Sequence, residues 1–139
     1  MKALFTAIAA ALLLGACSTK QPHTNADMAK TNAGAKASTP TQASDGTLIG
    51  PDGRTLYTFS RDVAGSGKSA CVDACAANWP PLPVAASAAP LGDYTIITRA
   101  DGSKQWAFKG MPLYYYVKDV KAGDKLGDGV GGNWKVARP

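Results

Sequence analysis

The chain has 139 residues, a formal net charge of +5 and a single histidine, His23. With that histidine in a polar N-terminal stretch, catalytic triads and histidine metal sites have nothing to stand on in the rest of the chain. The positive charge is spread without runs of Lys or Arg, which argues against a nucleic-acid footprint and supports at most weak attraction to anionic envelope surfaces.

Residues 1–16 read as an export signal: a basic Lys2, apolar residues from Ala3 to Leu14, then small residues. That apolar stretch is too short to span a bilayer as a helix. Leu14-Gly15-Ala16-Cys17 has the form of a bacterial lipobox, in which the Cys17 thiol becomes a thioether to diacylglycerol and the cysteine becomes the acylated N-terminus. Removing the signal takes Lys2 with it and leaves a charge of +4. Ser18 follows in place of the Asp that signals inner-membrane retention, so sorting to the outer membrane is expected in an organism that has one.

Residues 17–45 are expected to be the lipidated cysteine and a flexible tether. They are mostly Thr, Ala, Ser, Asn, Gln and Lys, with two prolines and no Phe, Trp or Tyr, and cannot bury enough apolar surface to offset their ordering entropy. No strand or helix is predicted there.

Residues 46–139 hold every Trp and Tyr of the chain, interleaved with Gly-rich turns, and are expected to form one small, mainly β domain. Strands are predicted at 47–50, 54–60, 94–99, 104–109, 113–118 and 133–137. Pro51-Asp52-Gly53 and Ala100-Asp101-Gly102 are placed as turns between strands, because Gly supplies the backbone conformation tight turns require. One helix is predicted over 69–79, capped by Ser69 and stopped by Pro80-Pro81.

An internal repeat organises the domain, with copies at about 46–82 and 94–139. Gly53-Arg54-Thr55-Leu56-Tyr57-Thr58-Phe59-Ser60-Arg61-Asp62-Val63 aligns with Gly110-Met111-Pro112-Leu113-Tyr114-Tyr115-Tyr116-Val117-Lys118-Asp119-Val120, and Asn78-Trp79 recurs as Asn133-Trp134. Two related strand–loop–Trp units packed on each other fit this pattern.

Tyr57, Phe59 and Asp62, with Tyr114, Tyr116 and Asp119, twice match Tyr-x-(Phe/Trp/Tyr)-x-x-Asp. On these residues, and on the segments 71–82, 98–106 and 128–134, the chain resembles the bacterial secreted-repeat lipoproteins that carry this motif. The resemblance covers essentially all of 46–139. It implies an envelope location and a two-repeat architecture, but little about activity.

The candidate chemistry is sparse. Asp62 and Asp119 could form a paired acidic site, or a Ca²⁺ site with Asp124 and Asp128. Repetition in both copies favours a turn-capping role instead. The segment 124–129 also lacks the ligand spacing of a calcium loop. Tyr57/Phe59 and Tyr114/Tyr116 each share a strand face and are read as core. That puts Tyr115 on the opposite face, as the leading candidate for an exposed aromatic contact, with Trp106 as a further part of a binding surface.

Cys71 and Cys75 would lie about 6 Å apart on a helical turn, within disulfide reach, and so short a loop would stabilise by about 2 kcal/mol. The alternative is a redox or copper-handling pair, for which Met111 is distant in sequence. The segment 64–69 mimics a phosphate loop, but its opening Gly is Asp62 here.

The sequence reading is therefore a non-enzymatic envelope module with no cofactor and no metal. It would be held to the bilayer by acylated Cys17 and bind an envelope protein or a small apolar or glycan ligand. Periplasmic redox or copper handling by Cys71 and Cys75 is the competing function.

Overall fold

The computed structural model describes residues 39–139, so the signal, Cys17 and most of the tether lie outside the described residues. The regular structure of the described residues is seven short strands, all paired antiparallel, and one short helix, joined by turns and loops. They are β1 (Thr41–Gln42), β2 (Leu48–Ile49), β3 (Tyr57–Phe59), α1 (Ala74–Asn78), β4 (Tyr94–Thr98), β5 (Lys104–Phe108), β6 (Met111–Pro112) and β7 (Trp134–Val136). A 3-10 turn at Val130–Gly132 precedes β7. Among the described residues no helix is long and apolar enough to cross a membrane.

Local chemistry explains the regular parts. The longest pairing is the hairpin β4–β5, with Ile96 opposite Trp106 and Thr98 opposite Lys104. It closes through the expected turn, where the Gly102 N–H donates to the Arg99 carbonyl. The turn at 50–53 closes in the same way, Gly53 N–H onto the Gly50 carbonyl.

Four expectations need correction. The segment read as tether contains β1, whose Thr41 and Gln42 pair with Ile49 and Leu48. Its exposed polar side chains conceal it from any hydrophobic pattern, because what forms the strand is the open backbone edge of β2.

The helix is shorter than predicted. The Ser69 oxygen accepts from Arg99 and lies against the Tyr114 hydroxyl instead of capping, and Asp73 at φ 51° breaks the helical path just before Ala74. The predicted strand at 54–60 is trimmed to β3, with Thr55 making only an isolated bridge to Ile49. Nor is 113–118 one continuous strand. Its backbone alternates between partners, with Tyr114 bridging both Tyr57 and Pro81.

That alternation reveals how the two repeats are joined. β7, the end of copy two, pairs with β3 of copy one, setting Tyr57 opposite Val136 and Phe59 opposite Trp134. Reciprocally, the segment after Trp79 in copy one lies along copy two. Leu82 N–H donates to the Leu113 carbonyl, Tyr115 N–H to Pro80, and Val117 N–H to Asn78. The mirrored bonds are Ala137 N–H onto Leu56 and Ser60 N–H onto Asn133. At the centre, Tyr57 and Tyr114 exchange both backbone hydrogen bonds, at 2.8 and 3.0 Å. Each repeat therefore completes the other by exchanging its last segment, around a pseudo-two-fold axis between Tyr57 and Tyr114.

Two apolar clusters lie on opposite faces of these central strands. One contains Leu48, Leu56, Leu82, Trp106, Leu113, Tyr115 and Ala137. The other is aromatic and holds Tyr57, Phe59, Trp79, Tyr114, Tyr116 and Trp134, together with Cys71. In the aromatic cluster Trp79 and Trp134 stack at 3.7 Å between ring centroids and 5° between planes. Phe59 stacks on Trp134 at 4.4 Å, and Tyr116 on Trp79 at 4.2 Å. Tyr57 meets Trp79 edge-on and Tyr114 meets Trp134 edge-on, so the arrangement obeys the same pseudo-symmetry.

Because Trp134 closes the stack from copy two onto copy one, its removal should be felt across the whole domain. Trp134→Ala is expected to cost about 3–5 kcal/mol, the range for deleting a large buried aromatic. Chemical denaturation monitored by far-UV circular dichroism would measure this, and a loss below 1 kcal/mol would contradict the placement of the ring.

Candidate functional site

The motif residues converge, but crosswise. The Tyr57 hydroxyl of copy one donates to Asp119 Oδ2 of copy two at 2.5 Å. The Tyr114 hydroxyl of copy two donates to Asp62 Oδ2 of copy one at 2.7 Å. Each carboxylate uses its second oxygen to hold the far end of its own loop: Asp62 Oδ1 accepts the Ala70 N–H at 2.6 Å and Asp119 Oδ1 accepts the Leu126 N–H at 2.9 Å. The capping role expected for these aspartates is present, while their bond to the other copy's tyrosine is not visible in the sequence.

The electrostatics follow from burial. Asp62 is pushed above the ordinary carboxylate range by burial, opposed by the Ala70 N–H, the Tyr114 hydroxyl and the nearby Arg99 charge. Burial likewise raises the Tyr57 and Tyr114 phenols well above their ordinary 10.0, and their aspartate partners add to the rise. Both phenols therefore keep their protons through the neutral range and act there as hydrogen-bond donors to the aspartates. Asp124 and Asp128 are turned to backbone N–H groups, of Val120 and Lys121 and of Val136 respectively. Among the described residues no group of three or more His, Cys, Asp or Glu side chains is arranged to hold a metal ion.

A second polar group gathers beside the first pair. Arg99 is buried, donating through Nη1 to Ser69 Oγ at 2.9 Å and to Gln105 Oε1 at 2.7 Å, and through Nη2 to the Cys71 carbonyl at 2.7 Å. Gln105 in turn donates to the Leu113 carbonyl, and Ser69 Oγ lies 2.7 Å from the Tyr114 hydroxyl. Arg99 is not among the candidate residues that the sequence motifs mark. The available signal was alternation, since Arg99 falls two residues after the buried Ile97 and so on the inward side of the strand.

Cys71 and Cys75 form a disulfide with Cα atoms 5.2 Å apart. Cys71 precedes α1 and is fully buried, so the bridge ties the Arg99-bound segment to the helix.

The two residues expected to offer a binding surface are both buried, Tyr115 at 6% and Trp106 at 0% exposure. The expectation treated the face opposite Tyr114 and Tyr116 as open, whereas that face carries the other apolar cluster. Tyr115 nonetheless contributes its edge to a cleft of about 390 Å³, lined also by Pro51, Asp52, Arg54, Leu82, Pro83, Val84 and Ala85. Arg54 lies over the Tyr115 ring, 4.2 Å from its centroid, and pairs with Asp52 at 2.7 Å. The ring reaches this position because residue 50 is glycine: a Cβ there would stand 2.0 Å from the Tyr115 hydroxyl oxygen. Burial raises this phenol too, with Asp52 adding to the effect.

The fold and site together define a small β domain of two interlocked repeats whose signature residues bond across the repeat boundary. The family model described as a secreted repeat of unknown function matches residues 39–83 and 95–138, and the chain belongs to that family. The matched segments correspond to the two interlocked units, the first beginning ahead of β1. Membership puts the chain among proteins exported to the cell envelope or beyond. No curated protein and no solved structure matches it.

The raised phenols give a sign for alkaline stability. Tyr57, Tyr114 and Tyr115 lie above 10.0 when folded, so their contribution is complete below that pH and is lost as pH rises beyond it. Spectrophotometric titration should show these three tyrosines ionising only together with unfolding. Smooth ionisation near their ordinary value in still-folded protein would refute the burial of these phenols.

Proposed function

We propose that the protein is a lipid-anchored, non-enzymatic binding module of the bacterial envelope, held to the bilayer through acylated Cys17 and facing its ligand with the Tyr115–Arg54 cleft. The outer membrane is the expected destination where the organism has one, because Ser18 follows the acylated cysteine. The anchor rests on Leu14-Gly15-Ala16-Cys17, and a processed lipoprotein terminus with several acyl chains suffices for stable attachment.

One observation carries the binding role. The motif's carboxylates and phenols are bonded to one another, whereas the Tyr115 cleft is lined mainly by Leu82, Pro83, Val84, Ala85 and Pro51, with the paired Arg54 and Asp52 at its edge. An apolar depression with few polar groups is the ordinary form of a small-ligand site. Its chemistry suits a small apolar molecule, or a glycan ring stacked on apolar surface with Arg54 reaching its hydroxyls. An envelope protein presenting such a group would satisfy the same cleft.

The test is intact-mass spectrometry of the exported protein, alone and with short alkyl glycosides. The expected result is an acyl mass on Cys17 that is absent from Cys17→Ser, a mass consistent with a closed disulfide, and glycoside adducts reduced by Arg54→Ala. An unmodified Cys17 would overturn the anchor. Bound copper or free thiols at Cys71 and Cys75 would move the function to redox or metal handling.

A further inference from the structure

The two repeats meet the same folding demands, so exposed positions at which they differ are not explained by the fold. The loops that follow the motif aspartates are the sharpest case. In copy one the loop runs from Asp62 to the Ala70 N–H it holds; in copy two it runs from Asp119 to the Leu126 N–H.

Copy two exposes Val117, Val120 and Leu126 at 42%, 74% and 62%. Their counterparts are Ser60, the equally exposed Val63, and Ala70, so two apolar side chains have been added on the outside of the second loop. Lys121 stands where copy one has Ala64.

The acids of this loop are turned inward, onto a phenol and backbone N–H groups, while Lys118 and Lys121 are exposed. Asp119 is buried against Tyr57, and Asp124 accepts the N–H groups of Val120 and Lys121. What faces outward is apolar and basic: Val117, Val120 and Leu126, with Lys118 and Lys121. Lys125 pairs with Asp45 at the edge of this surface. A shallow cleft alongside is lined by Lys125, Lys135 and Arg138, with the Asp128 carboxylate among them.

We propose that the 117–126 loop seats on an anionic bilayer surface, its valines and leucine entering the headgroup region while Lys118 and Lys121 meet lipid phosphates. The pairing of exposed aliphatic groups with neighbouring lysines matches an interface that is apolar just beneath a layer of negative charge. A soluble polyanion would use the lysines and leave the three aliphatic side chains unexplained. The chain preceding residue 39 leads back to Cys17, so under the proposed anchor the bilayer is the surface within reach of the loop.

The test uses the full exported protein with Val120→Cys carrying an environment-sensitive fluorophore. Thr95→Cys, on the exposed side of β4, serves as the reference. With phosphatidylglycerol vesicles, the label at 120 is expected to shift to the blue and be quenched by lipid-borne nitroxide, and the label at 95 is not. The signal should disappear in phosphatidylcholine vesicles, in high salt, with Lys118→Glu plus Lys121→Glu, and when Val117→Ser, Lys121→Ala and Leu126→Ala restore the residues of copy one. Equal behaviour of the two labels, or insensitivity to those changes, would overturn the proposal. Intact mass of the same preparation reports Cys17 acylation separately. An unlipidated protein would refute the anchor, while the label with added vesicles would still decide the loop.

Discussion

Everything in this domain depends on the stacking of Trp79 on Trp134. The two rings come from different repeats, and they meet at 3.7 Å between centroids. Each ring stands at the start of the segment that crosses to the other repeat. The stack therefore requires the exchange, and the exchange brings Phe59 and Tyr116 to the outer faces of the same column. A domain of about a hundred residues has little apolar volume to spend. Four stacked rings at the pseudo-two-fold axis concentrate much of it where both halves need it.

The crossed tyrosine–aspartate bonds are the polar counterpart of that column. A buried carboxylate is costly unless hydrogen-bonded, and here each one accepts both a phenol from across the axis and a backbone N–H from its own loop. The motif thus couples two tasks, closing the loop that follows it and fastening the opposite repeat. This explains why Tyr and Asp recur as a unit. The asymmetry is equally informative: the Cys71–Cys75 bridge lies in copy one, held by Arg99 of copy two, and the loop of copy two exposes Val117 and Leu126 where copy one has Ser60 and Ala70. Divergence is confined to what surrounds the shared frame.

Much of the frame was legible in the sequence. The 57-residue offset between Tyr57 and Tyr114, and the recurrence of Asn-Trp, announced two related units. The β4–β5 hairpin followed from turn chemistry and alternating β-formers. What could not be read was partner choice. A strand pattern shows which residues share a face but not which strand lies beside it, so β7 pairing with β3 was invisible. For the same reason Tyr115 was assigned to an open face that is in fact covered by Leu48, Leu56 and Leu82. β1 escaped notice because edge pairing by backbone bonds needs no apolar side chain. Buried Arg99 was hidden by its charge, although its place two residues after Ile97, just past β4, pointed inward.

The exchange of segments between repeats is the central claim, and double-mutant cycles on the motif test it most directly. Tyr57→Phe combined with Asp119→Asn, and Tyr114→Phe with Asp62→Asn, should show coupling of about 1 kcal/mol or more in unfolding free energy, as contacting hydrogen-bonded pairs do. Tyr57→Phe with Asp62→Asn, and Tyr114→Phe with Asp119→Asn, should be additive within about 0.5 kcal/mol. Coupling within the repeats and additivity between them would mean that each copy closes on itself, and would contradict the interlocked fold.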